Sequence, residues 1–252
     1  MQDTRIAVPG AAELSGRIIA ITGAGDGIGR AVALAAAAQG AQVILIGRTV
    51  KKLQSVHAEI VAAHGEVTTM APLDLEKAVA KDYDTLAAAI EERYGRLDGL
   101  VHCAGILGTL TPIDQYDVPT WCKVLHVNLT AAFVLTQVLL PALRRSADAS
   151  VIFTSSGVGR QGRAYWGAYA ASKFALEGLS QVLAAELEGT SSVRVNTLNP
   201  GPARTRMRRQ AYPSENAELL PEPAALAGAY VSLLGPRGKG ITGQALNCQT
   251  AR

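Results

Sequence analysis

The chain has 252 residues, of which 48% are hydrophobic and 18% charged, with a formal net charge of +3. That length suits one α/β domain around a large core, and that apolar content excludes a disordered chain. The small net charge, with no basic run longer than a pair, argues against a dedicated nucleic-acid or membrane-surface protein.

Residues 1–13 read as an N-terminal extension. Their charge, Pro and Gly leave no apolar core for a signal peptide. Arg17 to Thr22 (RIIAIT) is the first expected strand. Thr22-Gly23-Ala24-Gly25-Asp26-Gly27-Ile28-Gly29 follows it and opens a helix expected over Ile28 to Gln39, stopped by Gly40. Glycines at this turn let a phosphate approach the backbone, while the helix start offers free N–H groups and a positive dipole end. The spacing is T-G-x-x-x-G-x-G. The common G-x-G-x-x-G fails, because its last position falls on Ile28.

Gln42 to Gly47 is the second strand, followed by Arg48-Thr49 and a helix over Val50 to His64 ending at Gly65. Val67 to Pro72 is a weaker strand, with Asp74 and Leu75 just after it. A helix over Ala78 to Tyr94 ends at Gly95. Leu97 to Ala104 forms the next strand and carries Cys103. Cys103, Cys122 and Cys248 lack metal-ligand spacing and cannot all pair, so reduced thiols in the cytoplasm, and no metal, are expected. One helix is expected from Pro119 to Arg144. No apolar run approaches a membrane span, and the longest, around Ala31 to Ala38, is short.

Ser150 to Ser155 is a buried strand with Ser156 at its end, and Tyr165 to Glu188 is a long helix. On that helix Tyr169 and Lys173 stand four apart, hence on one face. Val193 to Leu198 and the weaker Gln244 to Cys248 complete the strands. Residues from about 202 to 223 carry Pro, Arg and few periodic apolars, and read as a mobile lid beside a site. Strands and helices alternating in this way imply a single-domain, doubly wound Rossmann-type α/β fold of about seven parallel strands with helices on both faces.

The glycine spacing, with Tyr169-Ala170-Ala171-Ser172-Lys173, Ser156 thirteen residues before Tyr169, and Asn128 in His126-Val127-Asn128-Leu129, resembles the short-chain dehydrogenase/reductase family from about Leu14 to Gly243. Arg160-Gln161-Gly162-Arg163 and Tyr165-Trp166-Gly167-Ala168-Tyr169 resemble the YciK-like bacterial oxidoreductases within it. The resemblance implies a catalytic set of Asn128, Ser156, Tyr169 and Lys173, with Ser155 as a rival to Ser156. It implies cofactor contacts from Gly23, Gly25, Asp26, Gly27, Ile28 and Gly29 at the pyrophosphate, and from Asp74 and Leu75 at the adenine. Cys103, Ala104 and Gly105 would lie at the ribose, although Cys103 stands where the family usually has Asn. Pro200, Gly201, Ala203 and Thr205 would meet the nicotinamide. NAD-selective members end the second strand on an acid. Here that position is Gly47, so Arg48 and Thr49 are free to receive a 2′-phosphate, which predicts NADP(H).

The chemistry expected is carbonyl–alcohol interconversion on a small molecule. Tyr169 would be the acid, Ser156 would polarise the carbonyl, Lys173 would lower the phenol's pKa, and Asn128 would hold a relay water. The arginines at 204, 206, 208 and 209 would draw an acidic substrate or form a solvated basic face, and Tyr165 and Trp166 would border the pocket or belong to the core or an interface. The family also implies a homodimer or homotetramer. A non-catalytic NADP-binding sensor or scaffold is the alternative.

Overall fold

In the computed structural model, which describes residues 12–249, the strands are short, branched and buried. β1 (Ile18–Thr22), β2 (Gln42–Gly47), β3 (Thr68–Pro72), β4 (Gly99–His102), β5 (Ser150–Thr154), β6 (Arg194–Asn199) and β7 (Ala245–Asn247) form one parallel sheet. Its order is β3-β2-β1-β4-β5-β6-β7. Alternate residues of each strand feed opposite faces: Ile19, Ile21, Val43 and Leu45 pack on one side, and Ile18, Ala20, Ile44 and Ile46 on the other. That period of two explains why the strands read as continuous apolar runs.

On the first face lie α1 (Gly27–Ala38), α2 (Val50–His64) and α8 (Pro223–Leu234). The small residues Ala33, Ala36 and Ala37 of α1 are buried there, in the same cluster as Tyr230 and Leu234 of α8. The second face is covered by α3 (Ala80–Tyr94), α5 (Ala131–Arg144) and α6 (Gly167–Leu187), with Leu135, Leu139, Phe153 and Leu176 at its centre. The strand order turns back between β1 and β4, which pair as Thr22 with His102. The crevice at this reversal, above the carboxyl ends of the strands, is where such sheets bind ligands.

Five differences from expectation have physical causes. α8 has no counterpart among the expected helices: its AALAGAYVSLL is apolar almost all round, so the helical period is faint. β4 stops at His102 because the Ala104 N–H turns to donate to Thr22 Oγ1 at 3.1 Å. The helix expected over Pro119 to Arg144 is split by a π turn, His126–Thr130, between α4 (Val118–Leu125) and α5. The longest apolar helical run is this one, Val118–Arg144. Its 27 residues would suffice to cross a membrane by length and composition, yet its buried side packs on the sheet as a core helix. Finally, the segment from about 202 to 223 holds α7 (Arg206–Ala211), whose N-terminus is capped by the Thr205 side chain accepting from the Arg208 N–H.

Candidate active site

The loop after β1 has no room for side chains at two points. Gly23 sits at φ +67°, and a Cβ there would lie 2.9 Å from the Ala104 nitrogen. A Cβ on Gly29 would stand 2.4 Å from the Gly23 carbonyl oxygen. Main chain therefore forms this wall, as a pyrophosphate cradle requires. Asp26 caps α1: its carboxylate accepts from the Gly27 N–H at 2.8 Å. Lys52 donates to the same carboxylate and holds it below the usual carboxylate range, against a smaller opposing effect of burial.

A cleft of about 810 Å³ runs over the carboxyl ends of the strands. It gathers Gly23, Gly25, Asp26, Gly27, Ile28 and Gly29 with Arg48, Thr49, Asp74 and Leu75, and then Cys103, Ala104, Gly105, Tyr169, Lys173, Pro200 and Thr205. Gly201, Ala203 and Ser156 line an adjoining cleft of about 600 Å³, and Tyr169 borders both. Asn128 lines neither. Arg48 is half exposed, and its ion pair with Glu76 is long, at 3.5 Å. Glu76 in turn holds Lys123 at 2.6 Å. Asp74 lines the cleft and also accepts from the Glu76 N–H at 3.2 Å, so turn capping and a place at the site coexist. Cys103 Sγ lies 3.4 Å from Thr154 Oγ1, and burial pushes its thiol up to about 11, as suits a small buried group rather than a reactive thiolate.

α6 places the phenol and the ammonium on one face. Lys173 Nζ donates to the Thr154 carbonyl at 2.8 Å and stands 5.6 Å from the Tyr169 ring centroid. Burial pushes Lys173 down to about 8, with the Glu177 carboxylate among the groups opposing it. Burial also pushes Tyr169 up to about 12, while its hydrogen bond with Ser156 acts the other way. Lys173 is not among the groups that shift the phenol in this arrangement. The ammonium is committed to Thr154 and lies over the ring, so desolvation prevails.

The two serines separate cleanly. Ser156 meets the Tyr169 phenol, whereas Ser155 is buried and donates to Glu177. Asn128 sits in the π turn and braces the loop after β4. Its Oδ1 accepts from the Ile106 N–H at 2.8 Å, and its Nδ2 donates to the Ile106 carbonyl at 2.9 Å and to Ser172 Oγ at 3.0 Å.

Sequence reasoning missed Glu177. Its carboxylate is buried and accepts from Ser155, from Thr197 Oγ1 at 2.6 Å and from Arg160 Nε at 2.9 Å. Arg160 continues to the Leu246 carbonyl and Asn247 Oδ1, both at 2.9 Å, tying α6 to the sheet edge. The available signal was position: Glu177 lies one turn beyond Lys173 on the same helix face. The arginine cluster divides. Arg208 is held bidentately by Glu215 at 2.6 Å, and Arg204 by the Ala217 carbonyl at 2.8 Å and Glu222 at 2.7 Å, so both fasten their own segment. Arg206 alone of the four lines the larger cleft. Trp166 lines the smaller cleft, but Tyr165 is exposed outside it.

Bare backbone at one end of the crevice and a buried phenol with its serine at the other suit an oxidoreductase that works on a nicotinamide dinucleotide. The family model described as short chain dehydrogenase matches residues 17–216, and the chain belongs to that family. It is 46% identical, over 84% of each chain, to the uncharacterized oxidoreductase YciK of Escherichia coli K12. A solved structure from Pseudomonas syringae, itself assigned to the short chain dehydrogenases, superposes with a TM-score of 0.95 at 51% identity, covering 97% of this chain and all (100%) of that one. Another, from Shigella flexneri 2a in complex with NADP, gives 0.93 at 44% identity over 96% and 100%.

Proposed function

We propose that this chain is an NADP(H)-dependent oxidoreductase that interconverts a carbonyl and an alcohol, with Tyr169 as the group that gives and takes the proton. The observation that carries the reading is that Ser156 and Tyr169 line one cleft and Tyr169 also borders the other. One cleft is long and walled by backbone, as a dinucleotide needs, and the other is open for a substrate. The complex of the Shigella relative with NADP supports the choice of cofactor. Gly47 presents no carboxylate to repel a 2′-phosphate, and Arg48 is loosely enough paired to turn towards one.

NADPH when bound supplies the hydride for the carbonyl carbon and leaves as NADP⁺. The chain's residues do the rest. The Ser156 hydroxyl orients the carbonyl oxygen beside Tyr169, which delivers the proton. Lys173, held at its depth by Thr154, is placed beside Tyr169 to recharge it and to meet the ribose. Gly105 leaves the space above Asn128 and Lys173 open, since a Cβ there would come within 3.4 Å of Asn128 Oδ1 and 3.8 Å of Lys173 Nζ. Asn128 fixes the loop that carries this opening.

The free thiols Cys103, Cys122 and Cys248 suit a reducing compartment, and the location we assign is the cytoplasm. Phe133 on α5 and Phe174 and Val182 on α6 leave apolar side chains exposed, which supports pairing through these helices as a homodimer or homotetramer. The test is NADPH and NADH oxidation with a carbonyl panel. Wild type is expected to turn over NADPH preferentially, and Tyr169→Phe to lose about 10²–10⁴-fold in kcat while still binding NADPH. Retained turnover in Tyr169→Phe would remove Tyr169 from the mechanism.

A further inference from the structure

The smaller cleft carries information about the molecule it receives. Three rings follow one another from the reacting group outwards. Tyr169 meets Trp166 edge-on at 5.7 Å between centroids, and Trp166 meets Tyr212 at 5.8 Å with planes 39° apart. Tyr212 comes from the end of α7, so the segment that covers the cleft contributes a ring instead of a charge. Met207 and Val158 add apolar wall, and among the described residues no Asp or Glu lines the cleft.

The two arginines there are already engaged. The Arg208 guanidinium lies 3.9 Å above the Tyr212 ring centroid while Glu215 grips it bidentately at 2.6 Å. Arg163 donates to Tyr212 Oη at 2.6 Å, with its guanidinium carbon 5.6 Å from the same ring. Arg208 is therefore committed to Glu215 and to the Tyr212 ring, while Arg163 spends one of its five N–H donors on the Tyr212 hydroxyl. A substrate carboxylate or phosphate at Arg208 would have to displace Glu215. A flat apolar body finds aromatic surface leading straight to Ser156 and Tyr169.

We propose that the substrate is an uncharged ring ketone, or its alcohol, whose ring lies against Trp166 and Tyr212 while its carbonyl reaches Ser156 and Tyr169. This rests on the oxidoreductase reading above and narrows it to a substrate class. Tyr212 is then a specificity-determining residue that acts through binding. It stands beyond Trp166 from the phenol, so its loss acts on KM more than on kcat.

The experiment measures NADPH oxidation by the full chain with cyclohexanone, α-tetralone, 2-hexanone and acetoacetate. The expected result is a kcat/KM for the two ring ketones at least about tenfold above the acyclic and acidic carbonyls. Tyr212→Ala should raise KM for α-tetralone about tenfold with a smaller change in kcat, and Tyr212→Phe should restore it, because the ring and not the hydroxyl makes the surface. NADPH affinity, measured by fluorescence titration, shows that each variant is folded. Preference for 2-hexanone or acetoacetate, or an unchanged KM in Tyr212→Ala, overturns the ring class and leaves the oxidoreductase reading standing. NADPH binding with turnover of none of the four carbonyls overturns both.

Discussion

At the Gly23–Gly29 loop the walls of the crevice are main chain, packed so closely that a Cβ on Gly29 would stand 2.4 Å from a carbonyl oxygen. At Tyr169, in the same crevice, the walls are side chains. A phenol, an ammonium and a carboxylate stand on successive turns of α6, all buried, with Lys173 and Tyr169 pushed from their ordinary proton affinities. The first region is shaped by volume and holds a ligand with backbone groups that do not titrate. The second is shaped by charge and desolvation, and its behaviour changes with pH. On the proposed reading, the first region binds the cofactor and the second moves the proton.

Adding one methyl group at each end tests that division most severely. Gly29→Ala should cost about 1–3 kcal/mol of stability through overpacking, and should weaken NADPH binding at least about a hundredfold if the loop shifts instead. The same exchange at Gly178 on α6, where a Cβ meets nothing within 4 Å, should leave thermal stability equal or higher. Thermal melts and NADPH titration of the two variants decide it, and a tolerated Gly29→Ala would break the comparison.

A smaller effect sharpens the cofactor end, where one side chain does matter. If Arg48 meets the 2′-phosphate as proposed, Arg48→Asp removes a charge-assisted contact and adds repulsion, so the Kd for NADPH should rise about tenfold to a hundredfold while NADH is little affected. Wild type preferring NADH, or a ratio of the two affinities that Arg48→Asp does not move, would assign the 2′-phosphate to other residues.

The smallest effect belongs to the charged end and is read from pH. Lys173 has a pKa of about 8 in the fold against 10.5 for the free side chain, so the unfolded chain binds its proton more tightly. Charging Lys173 therefore penalises the fold. The penalty is complete below about 8 and fades as pH rises towards 10.5. Lys173→Met should lose activity yet melt higher than wild type at pH 7, by about 1–2 kcal/mol once the lost Thr154 hydrogen bond is set against the gain. That advantage should shrink between pH 8 and 10.5, and an advantage constant with pH would contradict the burial argument.

Much of this molecule is legible in the chain because parallel strands buried on both faces announce themselves as branched apolar runs. The glycine spacing is legible for a similar reason: no other residue fits Gly23 or Gly29. α8 was hidden because an all-apolar helix loses its period, and the extent of the π turn around Asn128 was hidden because the pattern is helical on both sides of it. Glu177 reads as a surface residue until Arg160, Ser155 and Thr197 arrive from three other segments to pair it.

Sequence alone determined the doubly wound sheet, the tight glycine turn after β1 and the Tyr169–Lys173 face, since each follows from spacing within short segments. Tertiary structure decided which serine meets Tyr169, whether the arginines of the α7 segment are free, and which way burial moves the phenol and the ammonium. Those outcomes depend on desolvation and on partners dozens of residues away, and local spacing encodes neither.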